Sequence, residues 1–84
     1  MNLGYIQYNL KQAREELDAM INGIKTNSDY EYGEYVVAMT HLYHHINTAW
    51  NARDVSKERS DNCSEEDFKT WRRFPKEDEL FLEA

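Results

Sequence analysis

The sequence contains one run of 18 consecutive residues, Tyr35 to Ala52, that has no Asp, Glu, Lys or Arg. Residues 51–84, in contrast, carry seventeen charged side chains. The run is long enough to cross a bilayer, but its three His, two Asn and two Thr would each need a polar partner inside lipid. We therefore expect this run to form a helix of a soluble protein that is covered on more than one side.

The residues before this run show the spacing of an amphipathic helix. Apolar residues alternate at intervals of three and four, which is a heptad pattern sustained over three repeats. These positions are Leu3, Ile6, Leu10, Ala13, Leu17, Met20 and Ile24. The pattern predicts a first helix over residues 3–25, with the heptad face packed against a second helix.

A short polar turn separates the two predicted helices. Ser28 and Glu31 match the Ser-x-x-Glu capping box, in which the hydroxyl and the carboxylate satisfy amides at the start of a helix. We therefore expect the second helix to begin near Asp29 and to end at about Asp54 or one turn later. A turn this short favours an antiparallel hairpin.

The second helix has more apolar surface than the first helix alone can cover. One stripe follows Tyr32, Tyr35, Met39, Leu42, Ile46 and Ala49. A second stripe follows Val36, Met39, Tyr43, Ile46 and Trp50. The second stripe needs either the C-terminal segment or a second copy of the hairpin. Two hairpins packed face to face form a dimeric four-helix bundle.

The C-terminal third reads as a charged segment followed by one short helix. Residues 55–63 resemble a loop, and Ser64 with Asp67 resembles a helix cap. The short helix is expected to run to about Arg73, with Pro75 ending it. Its aromatic edge consists of Phe68, Trp71 and Phe74.

The whole sequence is expected to form one all-α domain with two parts. Residues 1–63 form the helical hairpin, and residues 64–84 form the short capping helix and an acidic tail. Within that tail, residues 76–84 are expected to be loosely ordered or docked through Leu80, Phe81 and Leu82.

Composition excludes several classes of protein. At 84 residues the chain forms at most one domain, and its net charge of −6 argues against binding nucleic acid. A single cysteine gives no internal disulfide and no zinc cluster. The first residues have no basic region and no apolar block, so no signal peptide is expected. These features and the lone thiol favour a cytoplasmic protein that does not act at a membrane.

Candidate binding residues gather at the end of the uncharged run. They are His41, His44, His45, Asn47, Trp50, Asn51 and Arg53. Neutral imidazoles and amides on a helix surface indicate that the surface is covered, because a buried charge is costly. Trp and Arg are also enriched at binding hot spots. His41 and His45, four residues apart, are candidate metal ligands, but two ligands are too few to predict a metal or a cofactor.

Two functions remain open from sequence alone. The first is a small, cytoplasmic, acidic, non-enzymatic interaction protein that self-associates, most simply as a dimer, with a separate protein partner left open. No catalytic residue is assigned. The alternative is an oligomeric protein that binds or sequesters a small ligand or metal at the His/Asn/Trp end of the second helix. A purely structural alternative is that the aromatic edge of the C-terminal segment, Phe68 to Trp71, packs on that end of the second helix.

Overall fold

The computed structural model describes residues 1–80, which form helices and turns without any β-strand. In chain order the helices are α1 (Leu3–Thr26), α2 (Tyr32–Asn51), α3 (Lys57–Asn62), α4 (Glu65–Trp71) and α5 (Glu77–Leu80). The two long helices, α1 and α2, pack against each other, and α4 packs on α2. The predicted all-α hairpin is therefore confirmed.

The start of α1 is tied to the far end of the hairpin by Asn2. Its Oδ1 atom caps α1 by accepting from the Tyr5 N–H (3.1 Å). Its Nδ2 atom donates to the Val55 carbonyl (3.2 Å) and to Ser60 Oγ (3.1 Å), and its backbone N–H donates to the Arg53 carbonyl (2.7 Å). One side chain therefore joins α1 to the segment that follows α2.

The turn between the long helices differs from the prediction. α2 begins at Tyr32 rather than near Asp29, and its N-cap residue, Glu31, makes no side-chain capping bond. The capping box with Ser28 is therefore wrong. An Asn turn competes with it, because Asn27 Oδ1 accepts from the Asp29 N–H (2.9 Å) and holds that residue outside the helix.

The turn is closed by an aromatic ring over a glycine. A Cβ atom added to Gly23 would lie 3.0 Å from Cε2 of Tyr30. The absence of a side chain at Gly23 therefore lets the Tyr30 ring lie directly against α1. At its other end α2 stops at Asn51, a few residues before the predicted position.

The segment expected to be a loop, residues 55–63, contains α3, so that expectation is wrong. Ser56 supplies the cap, since its Oγ accepts from the Arg59 N–H (3.1 Å). Lys57 and Asp61 form an ion pair across one helical turn (2.6 Å). The charged residues that resembled a loop are thus the exposed face of a short helix.

The predicted cap of the next helix is confirmed. Ser64 Oγ accepts from the Asp67 N–H (3.1 Å), and α4 follows directly. The helix ends at Trp71, two residues earlier than expected. The short α5 occupies part of the segment expected to be loosely ordered, while Phe81 and Leu82 lie outside the described residues.

The interior of the hairpin is small. Among residues 1–80 the buried apolar side chains are Ala13, Met20, Ala49, Ala52 and Trp71. The expectation that the whole heptad face of α1 is covered is wrong, because only part of that face is buried. Of the heptad positions, Ala13 and Met20 are buried, and Asn9 is buried beside them. The heptad row of Leu3, Leu10, Leu17 and Ile24 remains exposed.

Candidate functional site

The tail, by which we now mean residues 64–80, is held on α2 by two asparagine side chains. Asn47 Nδ2 donates to the Arg72 carbonyl (3.0 Å), and Asn51 Nδ2 donates to the carbonyls of Trp71 (2.7 Å) and Arg73 (2.6 Å). The last carbonyl groups of a helix accept no hydrogen bond from within that helix. These two amides donate to the carbonyls at the end of α4 and just beyond it. Two of the seven predicted site residues thus bind the chain's own tail.

Trp71 is the side chain that anchors the tail to the hairpin. It is only 4% exposed and meets the ring of Tyr5 edge-on, with centroids 5.9 Å apart. The Arg59 guanidinium lies 5.6 Å from the Trp71 ring and donates two hydrogen bonds to Asp67 (2.8 and 3.2 Å). These hydrogen bonds lower the pKa of Asp67.

A cavity of about 520 Å³ lies between α1, α2 and the tail. Aromatic rings, three histidines and small polar groups line it, with one arginine at its edge. The lining residues are Tyr5, Tyr8, Asn9, Thr40, His41, His44, His45, Thr48, Ser60, Cys63, Phe68, Trp71 and Arg72. The tail therefore covers one side of the hairpin but does not fill the cavity that lies there.

The buried amide of Asn9 fixes the tautomer of one histidine. Asn9 is 3% exposed, and its Nδ2 donates to the Tyr5 carbonyl (3.0 Å). Its Oδ1 must then accept from His45 Nδ1, 3.2 Å away. Burial lowers the pKa of His45; the Glu16 carboxylate opposes this shift, and the neighbouring His41 adds to it. At neutral pH the ring is thus uncharged, and Nε2 is a hydrogen-bond acceptor.

The other two histidines have different neighbours. His41 Nδ1 lies 3.6 Å from the Glu16 carboxylate. Burial lowers the pKa of His44, and the positive charge of Arg72 lowers it further. The Arg72 guanidinium itself lies 4.7 Å from the ring of Phe68. The cavity therefore contains one permanent positive charge beside two histidines that favour the neutral state.

Two predicted site residues lie away from the cavity. The Arg53 guanidinium lies 4.0 Å from the centre of the Trp50 ring, and its Nη1 donates to the Trp50 carbonyl (2.7 Å). This pair closes the end of α2. The seven predicted residues are therefore split among the cavity, the tail contact and the end of α2.

Sequence reasoning did not find three residues that shape the cavity: Tyr5, Asn9 and Arg72. Asn9 carried a signal, because asparagine is a poor helix former in the middle of a helix. Arg72 stands in the sequence beside Arg73 and close to several acidic residues, as solvated helix charges do, but it is half-buried over the Phe68 ring. No simple pattern marks Tyr5 among six tyrosines.

Within residues 1–80, no group of three His, Cys, Asp or Glu side chains is arranged to hold a metal ion. In the same part of the chain, no helix is both long and apolar enough to cross a membrane. No protein-family model matches the sequence, and no curated protein or solved structure is detectably similar to it.

Proposed function

We propose that this chain is a small non-enzymatic interaction protein that pairs with a second copy of itself through one face of the hairpin. We call this face the open flank. It consists of the exposed apolar side chains Leu3, Leu10, Leu17, Ile21 and Ile24 of α1 and Tyr32, Tyr35 and Ile46 of α2.

The helical period places these side chains on one side of the hairpin. On α1, Tyr8 lines the cavity, and Leu10 lies about 200° further around the helix. On α2, His44 lines the cavity and Ile46 lies the same angle away. Because the cavity lies on one side of the hairpin, the residues turned away from it share the opposite side.

The observation that carries the proposal is the small amount of apolar surface the chain buries alone. Three of the five buried apolar residues are alanines, and no large side chain of the described residues is completely buried. Meanwhile Leu10 and Leu17 on the open flank are 50% and 45% exposed. Short chains with a core this small usually gain stability from a metal, disulfides or association.

The total surface agrees with a missing partner. The chain exposes 6612 Å², whereas a folded monomer of 10.1 kDa is expected to expose about 5,300 Å². The excess of roughly 1,300 Å² exceeds the ~800 Å² that each partner buries in a standard interface. The chain therefore has enough surplus surface for a stable dimer.

The shape of the open flank favours another helix as its occupant. A shallow groove of about 560 Å³ lies along α1, and it is lined by Leu3, Ile6, Leu10, Gln7, Lys11 and Arg14. The row Leu3, Leu10, Leu17 and Ile24 repeats every seven residues, as in helices that pack at a shallow angle. Two open flanks packed about a two-fold axis form a four-helix bundle. A cytoplasmic location suits such a protein because Cys63 is a free thiol.

The proposal is tested by sedimentation velocity on the wild type and two variants. We expect the wild type to sediment as a dimer at micromolar concentration. The double variant Leu10→Lys, Leu17→Lys should be monomeric, because it places charges in the interface. Val37→Lys is the matched control: Val37 is 56% exposed but shares a helix face with the cavity residues His41, His44 and Thr48.

The outcomes separate the open flank from general hydrophobicity. A wild-type protein that stays monomeric and fully folded at 200 µM contradicts the proposal. Equal dissociation by Val37→Lys and by the double variant also contradicts it, because the contact would then lie elsewhere. A dimer that is present in the wild type and in Val37→Lys but absent in the double variant supports the open flank as the interface.

A further inference from the structure

We infer that the cavity is a binding site for a small aromatic acid, namely a flat ring that carries a carboxylate and also an O–H or N–H donor. The cavity lies on the opposite side of the hairpin from the open flank, so this inference does not depend on self-association. It assigns a ligand class to a site that is formed jointly by α1, α2 and the tail.

The size and walls of the cavity suit a flat ring. Its volume of about 520 Å³ falls in the range of small-molecule sites, roughly 300–1,000 Å³. Tyr5, Tyr8, Phe68 and Trp71 present aromatic surface to it. The Tyr5 and Tyr8 rings are nearly parallel (8°), and Trp71 meets Tyr5 edge-on. Aromatic side chains in this arrangement offer both stacking and edge contacts to a bound ring.

The carboxylate is selected by Arg72. Its guanidinium is placed over the Phe68 ring, and no carboxylate of residues 1–80 forms an ion pair with it. A guanidinium can bind a carboxylate through two parallel hydrogen bonds. No acidic side chain lines the cavity, and the charge of Arg72 repels a cationic ligand. The charge of the cavity therefore favours an anion.

The donor on the ligand is selected by His45. The buried amide of Asn9 holds the proton on Nδ1. Nε2 of His45 forms no hydrogen bond to another described residue, and the side chain lines the cavity. A neutral imidazole with a fixed tautomer accepts from a phenol, an indole or a similar group. A ligand that fills the cavity thus places its acid at Arg72 and its donor at His45.

The test uses one reference probe and two others, each of which differs from the reference by one group. They are 4-hydroxyphenylacetate, phenylacetate, which lacks the donor, and tyramine, which replaces the acid with an amine. Binding is measured by calorimetry and by shifts in the ¹H–¹⁵N spectrum of the wild-type protein. We expect the hydroxy acid to bind best, phenylacetate to bind about 2- to 10-fold more weakly, and tyramine to give no saturable binding.

A matched pair of arginine variants locates the acid. Arg72→Gln should weaken the binding of 4-hydroxyphenylacetate by about 10- to 100-fold. Arg73→Gln removes the same charge from the next residue, which does not line the cavity, and should leave affinity unchanged within twofold.

Two results would overturn the inference. One is the absence of saturable shifts at the cavity residues of the folded wild-type protein with millimolar hydroxy acid. The other is tyramine binding as tightly as the acid. The probe series on the wild type decides the question even if Arg72→Gln fails to fold.

Discussion

The two sides of the hairpin carry different chemistry, and the tail covers only one of them. On the tail side, α2 presents amides and imidazoles, and Asn47, Asn51 and His45 find hydrogen-bond partners within the chain. On the open flank, both helices present aliphatic and aromatic side chains that remain exposed. Buried polar groups need partners at fixed positions, whereas apolar groups need only area removed from water. The difference explains why the tail covers one side, and it supports our proposal that a second copy covers the other.

The largest effect is expected from removing the anchor of the tail side. Trp71→Ala should lower the free energy of unfolding by about 3–5 kcal/mol, because it removes the most buried large side chain in the described chain and leaves a cavity. Urea unfolding followed by circular dichroism measures the change. Phe68→Ala is the control, since Phe68 is largely exposed, and should cost less than about 1 kcal/mol. Equal losses would mean that Trp71 is not the anchor.

The open flank gives the next largest effect. Leu17→Ala should cost about 2–4 kcal/mol if the side chain is buried between two copies, but much less if it stays about half exposed. Val37→Ala, on the tail side, should change stability by no more than about 0.5 kcal/mol. The comparison is made by denaturant unfolding at a fixed protein concentration. A Leu17→Ala loss as small as that of Val37→Ala would show that the open flank is solvated.

A single hydrogen bond on the tail side should have a smaller effect. Asn47→Ala leaves the Arg72 carbonyl without its partner and should cost about 1–2 kcal/mol. Asn22→Ala is the matched control because Asn22 is exposed on α1, and alanine favours a helix there. Thermal unfolding distinguishes the two. If Asn47→Ala were as stable as Asn22→Ala, the amide would not hold the tail.

The smallest effect is a pH dependence confined to the tail side. Burial lowers the pKa of His44 and of His45, with Arg72 lowering the pKa of His44 further and Glu16 opposing the shift at His45. The unfolded chain therefore binds these protons at a higher pH than the folded chain does. Stability should be complete above pH about 6.5 and should fall as the pH is lowered below that value.

The measurement is the unfolding midpoint between pH 7.5 and 5.5. In that range the Asp67 carboxylate does not interfere, because its pKa is lowered and its contribution is lost only in stronger acid. His44→Gln should flatten the profile. A midpoint that rises as the pH falls would contradict the assigned direction of both shifts.

Much of the architecture follows from local sequence signals. The uncharged run and the heptad spacing predict two long helices, and the short turn predicts a hairpin, all of which the structure shows. The cap at Ser64 was also predictable, because a hydroxyl followed by acidic residues is typical of a helix start. The same pattern failed at Ser28, where the Asn27 side chain forms a turn instead. These features depend on neighbours in the chain, so the chain order itself carries the information.

The choice of faces was not predictable from periodicity. The heptad pattern treats Leu10 and Ala13 alike, but the structure buries Ala13 together with Asn9 and leaves Leu10 exposed. The preference rests on distant bonds, such as those from Asn9 to His45 and from Asn2 to Ser60, which no spacing rule predicts. The cavity was hidden for the same reason, because it exists only once the tail has docked.

The central claim is that the open flank, and not the tail side, meets a second copy. The most direct measurement is an isotope-filtered NOE experiment on a mixture of labelled and unlabelled protein. The account predicts intermolecular NOEs from the methyl groups of Leu10, Leu17 and Ile24, and none from those of Val37. Intermolecular NOEs at Val37 without any at the three open-flank residues, or none at all for a folded monomer, would contradict it.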